Sequence, residues 1–583
     1  MTETSSSSSS ANPTNPTPAP PIIPLRKQLK DAAKKAKSDG SPTGKKPKSA
    51  SQVVPGWELT VGIEIHAQLN TSHKLFSSAA TSFNDSPNTH VALFDSAMPG
   101  SQPQFQSEAL IPALRAAIAL GCEVQKTSQW DRKHYFWWDQ PNGYQITQYY
   151  HPFARQGKLV LAPRDGIATQ DGESVTVGIE RIQMEQDTAK TTAQPGGRQW
   201  IDLNRVGMPL VEIITKPDMH YPATAAAVVR KIQALLYATD ACVNGMETGG
   251  LRADVNVSVR RTGDESRVLG TRTEIKNLSS FRAVEDAIIA ERDRQIGELE
   301  KGGKVNGETR GWTLGGSETY RLRGKEGEVD YRYMPDPDLG PVVIGDDLVE
   351  HLKMTMGTLP DQELDNLVSK YGLTPKDAIS LVNLENGDRV EYFYNVIENL
   401  GEWLAGAAID IELQNGIPKH YSLVANWILH ELGRLTADPH SSTATSLEVT
   451  ADGQSSRIAV PLLGELLYHL YRHAITAKVA KELLFALYRG DVQSSYLSVT
   501  DAIEASELWF RELSGEEYIG LCEQALEGEE QTLKQFAPGY KKYPQGKLMF
   551  LVGKMIKIGQ EERIDPVNAQ KFMRMVIEEK VGG

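Results

Sequence analysis

The stretch LTVGIEIHAQLN, residues 59–70, predicts a β-strand with ionisable side chains on one of its faces. Side chains of a strand point alternately to the two faces of a sheet. One face carries apolar side chains that suit burial: Val61, Ile63 and Ile65. The other face sets Glu64 and His66 side by side, next to Gly62. On its own this pair also fits a polar, solvent-facing strand, so its interpretation depends on the rest of the chain.

Four further carboxylates lie in segments that also predict strands. They are Glu185 in GIERIQMEQDTAK, Glu212 in RVGMPLVEIITKPD, Asp254 in LRADVNVSVR and Glu274 in RTEIKNLSSF. A carboxylate within an apolar strand costs several kcal/mol unless it is paired or bound to a cation. Together with Glu64, these residues predict a charged site inside a sheet.

The chemistry of these side chains favours one kind of metal. Oxygen ligands with a single imidazole and no thiolate favour Mg²⁺ or Mn²⁺ rather than zinc. Mg²⁺ held by a few carboxylates commonly binds nucleotide phosphates. No phosphate-binding loop, kinase glycine loop or dinucleotide fingerprint occurs, so any ATP site must be atypical.

The segment DRKHYFWWDQPNGYQITQYYHP, residues 131–152, supplies positive charge and aromatic rings. Arg132 and Lys133 could offset phosphate charge near the carboxylates. The rings either stack on unpaired bases or pack in the core. They belong to Tyr135, Phe136, Trp137, Trp138 and Tyr144.

Length, composition and charge limit the classes of protein to which the chain can belong. The chain has 583 residues, 40% of them hydrophobic and 23% charged, which indicates a globular protein of several domains. No apolar run approaches the roughly 18 residues that span a bilayer, so no membrane insertion is expected. Only three cysteines occur, far apart in sequence, which excludes a disulfide framework and a C-x-x-C zinc site. A net charge of −13 argues against an overall basic surface for nucleic acid.

Changes in composition and hydrophobic periodicity along the chain predict four parts. Residues 1–52 are rich in Ser, Pro and Lys, which predicts disorder. Residues 53–345 read as strands with interspersed helices and no regular βαβ rhythm, which predicts an α+β domain. Residues 346–499 and 500–583 show helical periodicity. The predicted strands of the α+β domain include Leu59–Gln68, Val175–Met184, Leu210–Ile214, Ala253–Arg260 and Arg272–Lys276, and its helices are YPATAAAVVRKIQALLYATD and FRAVEDAIIAERDRQIGELE.

The last part contains a local reversal of charge. Residues 531–560 hold no acidic residue and six lysines: Lys534, Lys541, Lys542, Lys547, Lys554 and Lys557. The alternatives are a solvated basic helix face and a surface that contacts nucleic-acid phosphates.

Long motifs in a fixed order link the chain to a known family. They are VGIEIHAQL, DRKHYFWWDQPNGYQITQY, IERIQMEQDTAK, DLNRVGMPLVEI, GGLRADVNVSVR, TRTEIKNLSSFRAVEDAI and DYRYMPDPDLGPVVI. From about residue 55 to its end, the chain resembles the B subunits of Glu-tRNA(Gln) amidotransferases, and closely the mitochondrial forms of fungi.

The resemblance implies a mixed-sheet cradle domain, an all-helical domain and a small helical tail domain that binds tRNA. It implies that ATP activates the glutamyl carboxylate of Glu-tRNA(Gln) and that ammonia then converts it to the amide. No glutaminase nucleophile motif is visible, so ammonia is expected from an amidase, the A subunit of the family, with a small third subunit in the complex. The expected location is the mitochondrial matrix.

Site residues follow from the resemblance by position. The implied Mg²⁺ ligands are Glu64, His66, Glu185 and Glu212, and further catalytic roles fall to Lys133 and Gln186. From the residues themselves, independently of the resemblance, Arg132, Asp254 and Glu274 are expected near ATP. Gln186 stands where many relatives have a carboxylate. Relatives with a zinc site have four cysteines where this chain has Ser77, Ala79, Ala92 and Asp95, so no zinc is expected there.

Two other functions remain open at the level of sequence. A metal-dependent hydrolase that acts alone on a phosphoester would share the acidic cluster but would need no partner. A non-catalytic RNA-binding scaffold would tolerate the loss of Glu64 or Glu212.

Overall fold

We analysed a computed structural model of the chain. It describes residues 52–582 apart from 243–244, 264–267, 325–330, 437–446, 451, 491–497, 537–543 and 560–563. The chain divides by its contacts at Pro55 into a short N-terminal unit and one compact unit from Gly56 onward. The disorder expected for residues 1–52 falls almost wholly outside the described residues.

Eighteen strands are found in the described residues. In chain order they are β1 (Trp57–Gln68), β2 (Glu123–Val124), β3 (Thr127–Ser128), β4 (Asp131–His134), β5 (Tyr144–Thr147), β6 (Ala154–Leu161), β7 (Val175–Gln186), β8 (Lys190–Gln194), β9 (Arg198–Asp202), β10 (Pro209–Thr215), β11 (Leu251–Arg261), β12 (Thr273–Leu278), β13 (Glu308–Gly311), β14 (Tyr320–Gly324), β15 (Met334–Pro335), β16 (Val342–Val343), β17 (Leu413–Gln414) and β18 (Ile417–Pro418). The predicted strands all appear, extended by one or two residues at several ends, and β12 begins one residue later than predicted.

A nine-stranded mixed sheet is the centre of the cradle. Its order is β14-β13-β12-β11-β1-β10-β7-β6-β2, antiparallel throughout except between β12 and β13. Short strands form the sheet β15-β4-β5 and the pairs β16-β3, β8-β9 and β17-β18. Strand β1 lies in the middle of this sheet, so both of its edges are hydrogen-bonded, one to β10 and one to β11. Its apolar face, with Val61, Ile63 and Ile65, is buried.

Two long helices cover that apolar face. They are α2 (Pro222–Ala238) and α3 (Phe281–Glu300), which pack on each other and on the central strands. Thr273 of β12 is opposite Val257 of β11, and its hydroxyl donates to Glu291 of α3 at 2.7 Å. The helices therefore lie on the side of Val61, Val257 and Thr273. This leaves the opposite face, with Glu64 and His66, free to form a site.

The remaining helices lie before, between and after these elements. They are α1 (Leu110–Ala119), α4 (Asp346–Thr355), α5 (Pro360–Ser369), α6 (Pro375–Val382), α7 (Asp388–Gly406), α8 (Lys419–Asn426), a π-helix (Trp427–Leu432), α9 (Gly433–Thr436), α10 (Val460–Tyr471), α11 (Ala477–Arg489), α12 (Val499–Ala505), α13 (Gly515–Leu526), α14 (Glu530–Leu533), α15 (Gln545–Ile558) and α16 (Pro566–Gly582). Single 3₁₀ turns occur at Ser107–Ala109, Pro163–Asp165, Thr169–Asp171, Met246–Thr248, Leu384–Gly387 and Lys534–Phe536.

Two separate hydrophobic cores organise the helical region. The larger core runs from Leu367 to Ile503 and is built mainly on α7, α10 and α11. The smaller core runs from Tyr518 to Ile577 and joins α13, α15 and α16. A sheet domain followed by helices confirms the predicted α+β class; the boundaries at 345 and 499 stay predictions.

Two expectations from composition can be compared with the structure. All three cysteines are free. Among the helices that the structure describes, none has both the length and the apolar character needed to cross a bilayer.

Candidate active site

Three neighbouring strands bring a histidine and two glutamates together. His66 of β1 is directly opposite Glu212 of β10. Glu185 of β7 is opposite Leu210 of β10. Because Leu210 is two residues before Glu212 on the same strand, Glu185 shares the face of Glu212 and His66. One ligand atom from each of His66, Glu185 and Glu212 lies within 4.8 Å of the other two. His66 Nε2 is 3.9 Å from Glu212 Oε1. Two carboxylates and an imidazole at this separation can hold one metal ion.

Amide side chains orient the two carboxylates. Gln183 Nε2 donates to Glu212 Oε2 at 2.6 Å and to Thr147 Oγ1 at 3.1 Å. Gln145 Nε2 donates to Glu185 Oε1 at 3.2 Å. Such outer hydrogen bonds fix the ligand geometry of metal sites.

Glu185 provides the test of whether the group suits a cation. It is buried, and its Oε2 atom accepts no hydrogen bond from any described residue. Burial raises the pKa of Glu185 above its ordinary value, and the positive charge of Lys133 opposes that effect. Burial also acts on Glu212, but the charges of His66 and Lys133 outweigh it and hold its pKa below the ordinary value. An unpaired, buried carboxylate oxygen beside two ligand atoms fits a bound cation.

Lys133 of β4 reaches the same group from the neighbouring small sheet. Its Nζ atom lies 3.7 Å from Glu185 Oε1 and 5.3 Å from the ring centre of Tyr331. Burial alone would lower the pKa of Lys133, but the carboxylates of Glu185 and Glu212 outweigh it and raise the pKa. The structure therefore places a charged ammonium beside the acidic group, while the role of Lys133 towards phosphate stays a prediction.

Glu64 lies next to the three-residue group without belonging to it. Its Oε1 atom accepts a hydrogen bond from Asn256 Nδ2 at 3.0 Å. Burial, followed by the charges of Glu212 and Glu274, raises the pKa of Glu64. The predicted role of Glu64 as a fourth metal ligand stays a prediction.

A second charged cluster continues along the same face. Lys276 Nζ lies 2.9 Å from Asp254 Oδ2 and 3.0 Å from Glu274 Oε1. Burial would raise the pKa of Asp254, but Lys276 and His66 outweigh it, and the pKa falls below its ordinary value. Asp254 and Glu274 thus share the face of Glu64, while their expected contact with ATP stays a prediction.

The side chains of Arg132 and Gln186 lie outside the group of His66, Glu185 and Glu212. Arg132 is held by Asp336 at 2.7 Å and by Asp338 at 2.8 Å, and it lies over the ring of Tyr144. Strand alternation turns it away from its neighbour Lys133. Gln186 Oε1 accepts from the backbone N–H of Ile146 at 3.2 Å, which holds β5 against β7. The structure does not bring either side chain into the ligand group.

Sequence reasoning missed two polar partners of the acidic residues. Asn256 and Lys276 each lie two residues after a predicted site residue, Asp254 and Glu274. The period of two along a strand was the signal that could have identified both, as it places Gln183 on the face of Glu185.

A buried ion pair lies among Ser77, Ala79, Ala92 and Asp95, the positions at which the resemblance implies that no zinc binds. Lys74 Nζ lies 3.0 Å from Asp95 Oδ2 and donates to the carbonyl of Leu203 at 3.0 Å. The same Asp95 oxygen accepts from Ser77 Oγ at 3.2 Å and from the N–H of Ala92 at 2.9 Å. This cluster ties the loop after β1 to the segment that leads into β10.

Removing one partner of this ion pair should loosen the loop strongly. Asp95→Asn removes the carboxylate that lies 3.0 Å from the buried ammonium of Lys74, and breaking a buried ion pair in this way costs about 3–5 kcal/mol. Amide hydrogen exchange of residues 74–98 should therefore accelerate about 10²- to 10⁴-fold. The control is Asp85→Asn, which removes an exposed pair with His90 and should change little. Equal exchange in the two variants would show that the buried pair does not hold the loop.

Comparison with known proteins gives the class of the chain. A family model described as "GatB/GatE catalytic domain" matches residues 59–350, a range that contains all of the acidic residues described above. The nine-stranded sheet and its charged face are thus those of an amidotransferase subunit.

Full-length relatives narrow the class to one family. The chain is 63% identical to a protein of Verticillium alfalfae named as the B subunit of mitochondrial glutamyl-tRNA(Gln) amidotransferase, over 95% of this chain and 88% of the relative. Proteins of the same name from Fusarium vanettenii and Neurospora crassa are 62% and 60% identical, over 95% of this chain and 89% and 86% of their lengths. The chain therefore belongs to the family of Glu-tRNA(Gln) amidotransferase B subunits. Its location in the mitochondrial matrix follows from these relatives.

Proposed function

We propose that this chain, within a heteromeric complex, activates the glutamyl group of Glu-tRNA(Gln) with ATP and amidates it to give Gln-tRNA(Gln) for mitochondrial translation. The observation that carries the proposal is the group of His66, Glu185 and Glu212 with Lys133 beside it, within the residues that the family model matches. This geometry suits transfer of a phosphoryl group next to a carboxylate substrate.

The reaction needs an activated carboxyl group. A carboxylate is a poor electrophile, so its oxygen first attacks the γ-phosphorus of ATP, and ADP leaves. Ammonia then attacks the carbonyl carbon of the acyl phosphate, inorganic phosphate leaves, and a proton is lost from nitrogen. Both steps build negative charge on phosphoryl oxygens, which a preorganised positive site stabilises.

In this proposal, metal binding, charge stabilisation and orientation of the ligands fall to different residues. His66, Glu185 and Glu212 would hold Mg²⁺, whose charge neutralises phosphate oxygens. Lys133 Nζ fixes the carboxylate of Glu185 and adds a second positive charge beside the substrate. Gln183 and Gln145 keep the two glutamates in place.

Ammonia is proposed to come from another chain. The sequence contains no motif for a glutaminase nucleophile, and its three cysteines are widely spaced. Burial raises the pKa of Cys122 to about 12, and it also raises the pKa of Cys242, so neither is an activated thiolate. The amidase of the complex, its A subunit, would release ammonia from glutamine, and a small third subunit would complete the complex.

One assay tests the proposal against its rivals. The complex is assembled with an amidase subunit whose nucleophile is disabled, and Gln-tRNA formation is measured with Glu-tRNA(Gln), ATP, Mg²⁺ and ammonium. We expect amidation that requires ATP and that stops when a chelator removes the metal. Restoration by Mg²⁺ but not by Zn²⁺ supports the assigned metal. Phosphoester hydrolysis without amidation would favour the hydrolase, and amidation indifferent to ATP or metal would contradict the proposal.

The tail is proposed to bind tRNA phosphates away from the reacting end. Lys547 and Lys557 of α15 are exposed, whereas Lys554 pairs with Glu529 at 3.3 Å. Lys541 and Lys542 lie outside the described residues. The buried face of α13 packs against α15 and α16, so a truncation near residue 530 would expose the core from Tyr518 to Leu526. Point substitutions are therefore the cleaner test.

We expect Lys547→Gln/Lys557→Gln to weaken tRNA binding without slowing the chemistry. Each lost phosphate contact should lower the slope of log affinity against log salt by roughly one unit. The KM for Glu-tRNA should rise while kcat stays near the wild-type value. The matched control is Lys376→Gln, which neutralises an exposed lysine on α6. An unchanged salt slope in the double variant would indicate that this helix face is only solvated.

A further inference from the structure

An arginine that the sequence analysis did not single out extends a row of side chains across the site. His66 of β1 is directly opposite Glu212 of β10 on one side and directly opposite Arg252 of β11 on the other. Residues directly opposite each other on antiparallel strands share a face, with Cβ atoms about 4.5–5.5 Å apart. Arg252 therefore lies on the face of the acidic group, on the side of His66 away from Glu212.

One buried carboxylate holds this guanidinium in place. Arg252 Nη2 donates to Asp187 Oδ2 at 2.8 Å. Burial would raise the pKa of Asp187, but the charges of Arg252 and Arg205 outweigh it and hold the pKa below its ordinary value. Arg205 is engaged elsewhere, because its Nε and Nη2 atoms donate to the carbonyls of Thr188 and Ala189 at 2.8 and 2.7 Å. Asp187 is thus an ionised anchor for the side chain of Arg252.

Most of the hydrogen-bonding capacity of Arg252 is unused. A guanidinium has five N–H groups. In the part of the chain that the structure describes, Asp187 is the only hydrogen-bond partner of Arg252, and it engages a single nitrogen. The side chain of Arg252 is 24% exposed, so a ligand can reach the remaining N–H groups.

A second arginine on the same strand shows what a complete pairing is. Arg260 of β11 donates from Nε and Nη2 to the two oxygens of Glu58 at 2.9 and 3.0 Å. This arrangement uses the whole fork of the guanidinium, as arginine and carboxylate commonly do. Arg252 has only one such contact with Asp187 and keeps the capacity to bind a second planar anion.

Two anions must meet in the proposed reaction, the triphosphate of ATP and the side-chain carboxylate of the glutamyl group. Mg²⁺ and the ammonium of Lys133, which lies 3.7 Å from Glu185, would take the phosphate oxygens. Lys276 is already balanced by two carboxylates at 2.9 and 3.0 Å. A glutamyl carboxylate that left water without a counter-charge would be costly to bind. Arg252 can supply that counter-charge, and its planar fork matches a planar carboxylate.

We propose that Arg252 binds the side-chain carboxylate of the glutamyl group of Glu-tRNA(Gln), with Asp187 as its positioning residue, an inference that rests on the proposed function. One carboxylate oxygen accepts from the guanidinium and becomes the carbonyl oxygen of the acyl phosphate. The other oxygen forms the bond to the γ-phosphorus as the bond to ADP breaks. Amidation turns the carboxylate into a neutral amide, which accepts weaker hydrogen bonds than an ionised group. Arg252 therefore favours the substrate over the product.

A binding measurement without chemistry tests this preference. The complex is assembled with a disabled amidase subunit, and its Kd values for Glu-tRNA(Gln) and Gln-tRNA(Gln) are measured with Mg²⁺ but without ATP. We expect the wild type to bind Glu-tRNA about 10-fold more tightly, and Arg252→Gln to bind both tRNAs equally. The matched control is Arg260→Gln, which removes an arginine of the same strand from its pair with Glu58 and should keep the preference. Equal binding of the two tRNAs by the wild type, or a preference that persists in Arg252→Gln, would overturn the proposal.

Steady-state kinetics separates a carboxylate contact from a phosphate contact. With ammonium as the nitrogen donor, Arg252→Gln should lower kcat/KM for Glu-tRNA about 100-fold, while the KM for ATP stays within about twofold of the wild-type value. A rise in the KM for ATP without loss of the preference for Glu-tRNA would assign Arg252 to the phosphates and overturn the proposal.

A second variant keeps the buried pair with Asp187. Arg252→Lys leaves Asp187 a counter-charge but lacks the planar fork, so the preference for Glu-tRNA should fall at least about threefold. An unchanged preference in Arg252→Lys would contradict recognition by the fork. If the wild-type complex forms no Gln-tRNA, the proposed function itself is wrong. If it forms Gln-tRNA but binds both tRNAs equally, only the role of Arg252 is wrong.

Discussion

Replacing Glu185 with glutamine is expected to lower ammonium-dependent formation of Gln-tRNA by about 10²- to 10³-fold. The substitution keeps the volume of a buried side chain but removes the charge that faces His66, Glu212 and Lys133. A metal ion would lose one anionic ligand, and Lys133 would lose its nearest counter-charge. The requirement for Mg²⁺ should therefore rise about 10- to 100-fold, which a titration of rate against metal concentration measures.

The control for this variant is on the same strand. Glu180→Gln removes a carboxylate that β7 presents to solvent, and it should leave both the rate and the Mg²⁺ requirement unchanged. The glutaminase activity of the partner and the assembly of the complex should persist in both variants, because glutamine keeps the shape of the glutamate that it replaces. Wild-type amidation by the Glu185→Gln complex would mean that the three-residue group is not the site of activation.

The local elements of this site were predictable because strands and helices leave periodic patterns in sequence. Alternation placed Glu64 and His66 on one face of β1, and apolar spacing with Pro222 near the start located α2. The helix that ends before KGG is α3, and Gly302 adopts the left-handed φ of +78° that suits glycine after a helix.

The pairing of distant strands was not predictable from these patterns. β1 lies between β10 and β11, whose residues follow it by about 150 and 190 positions, and no local signal specifies that register. Arg132 shows how an unpredicted long-range contact changes the interpretation of a residue. Its sequence neighbourhood indicates phosphate binding, but two aspartates some 200 residues later, Asp336 and Asp338, hold its guanidinium.

Charged residues inside the fold were identified by type but not by partner. An acidic residue in an apolar strand indicates a buried charge, and the sequence alone does not show what neutralises it. Lys276 neutralises Asp254 and Glu274, whereas Glu64 has only the amide of Asn256 as its hydrogen-bond donor in the contacts described. The number of metal ligands is therefore a question for experiment.

Glu64→Gln is the variant that decides between three ligands and four. Glutamine can still accept the hydrogen bond from Asn256, so the strand and its neighbours should keep their arrangement. If Glu64 turns to the metal in the working complex, activation of Glu-tRNA should fall by about 10²-fold or more. The Mg²⁺ requirement should rise as it does for Glu185→Gln, and that result is expected.

Stability provides a second readout on the same preparation. Burial and the charges of Glu212 and Glu274 raise the pKa of Glu64, which means that its ionised form is disfavoured in the folded protein. A neutral glutamine removes that penalty, so the melting temperature of the metal-free chain should increase. Glu58→Gln is the control, because Glu58 is on the same strand but pairs with Arg260 near the surface, and its loss should not change the rate. A Glu64→Gln complex with a higher melting temperature but a wild-type rate and Mg²⁺ response would assign Glu64 to Asn256 alone and leave the metal with three protein ligands.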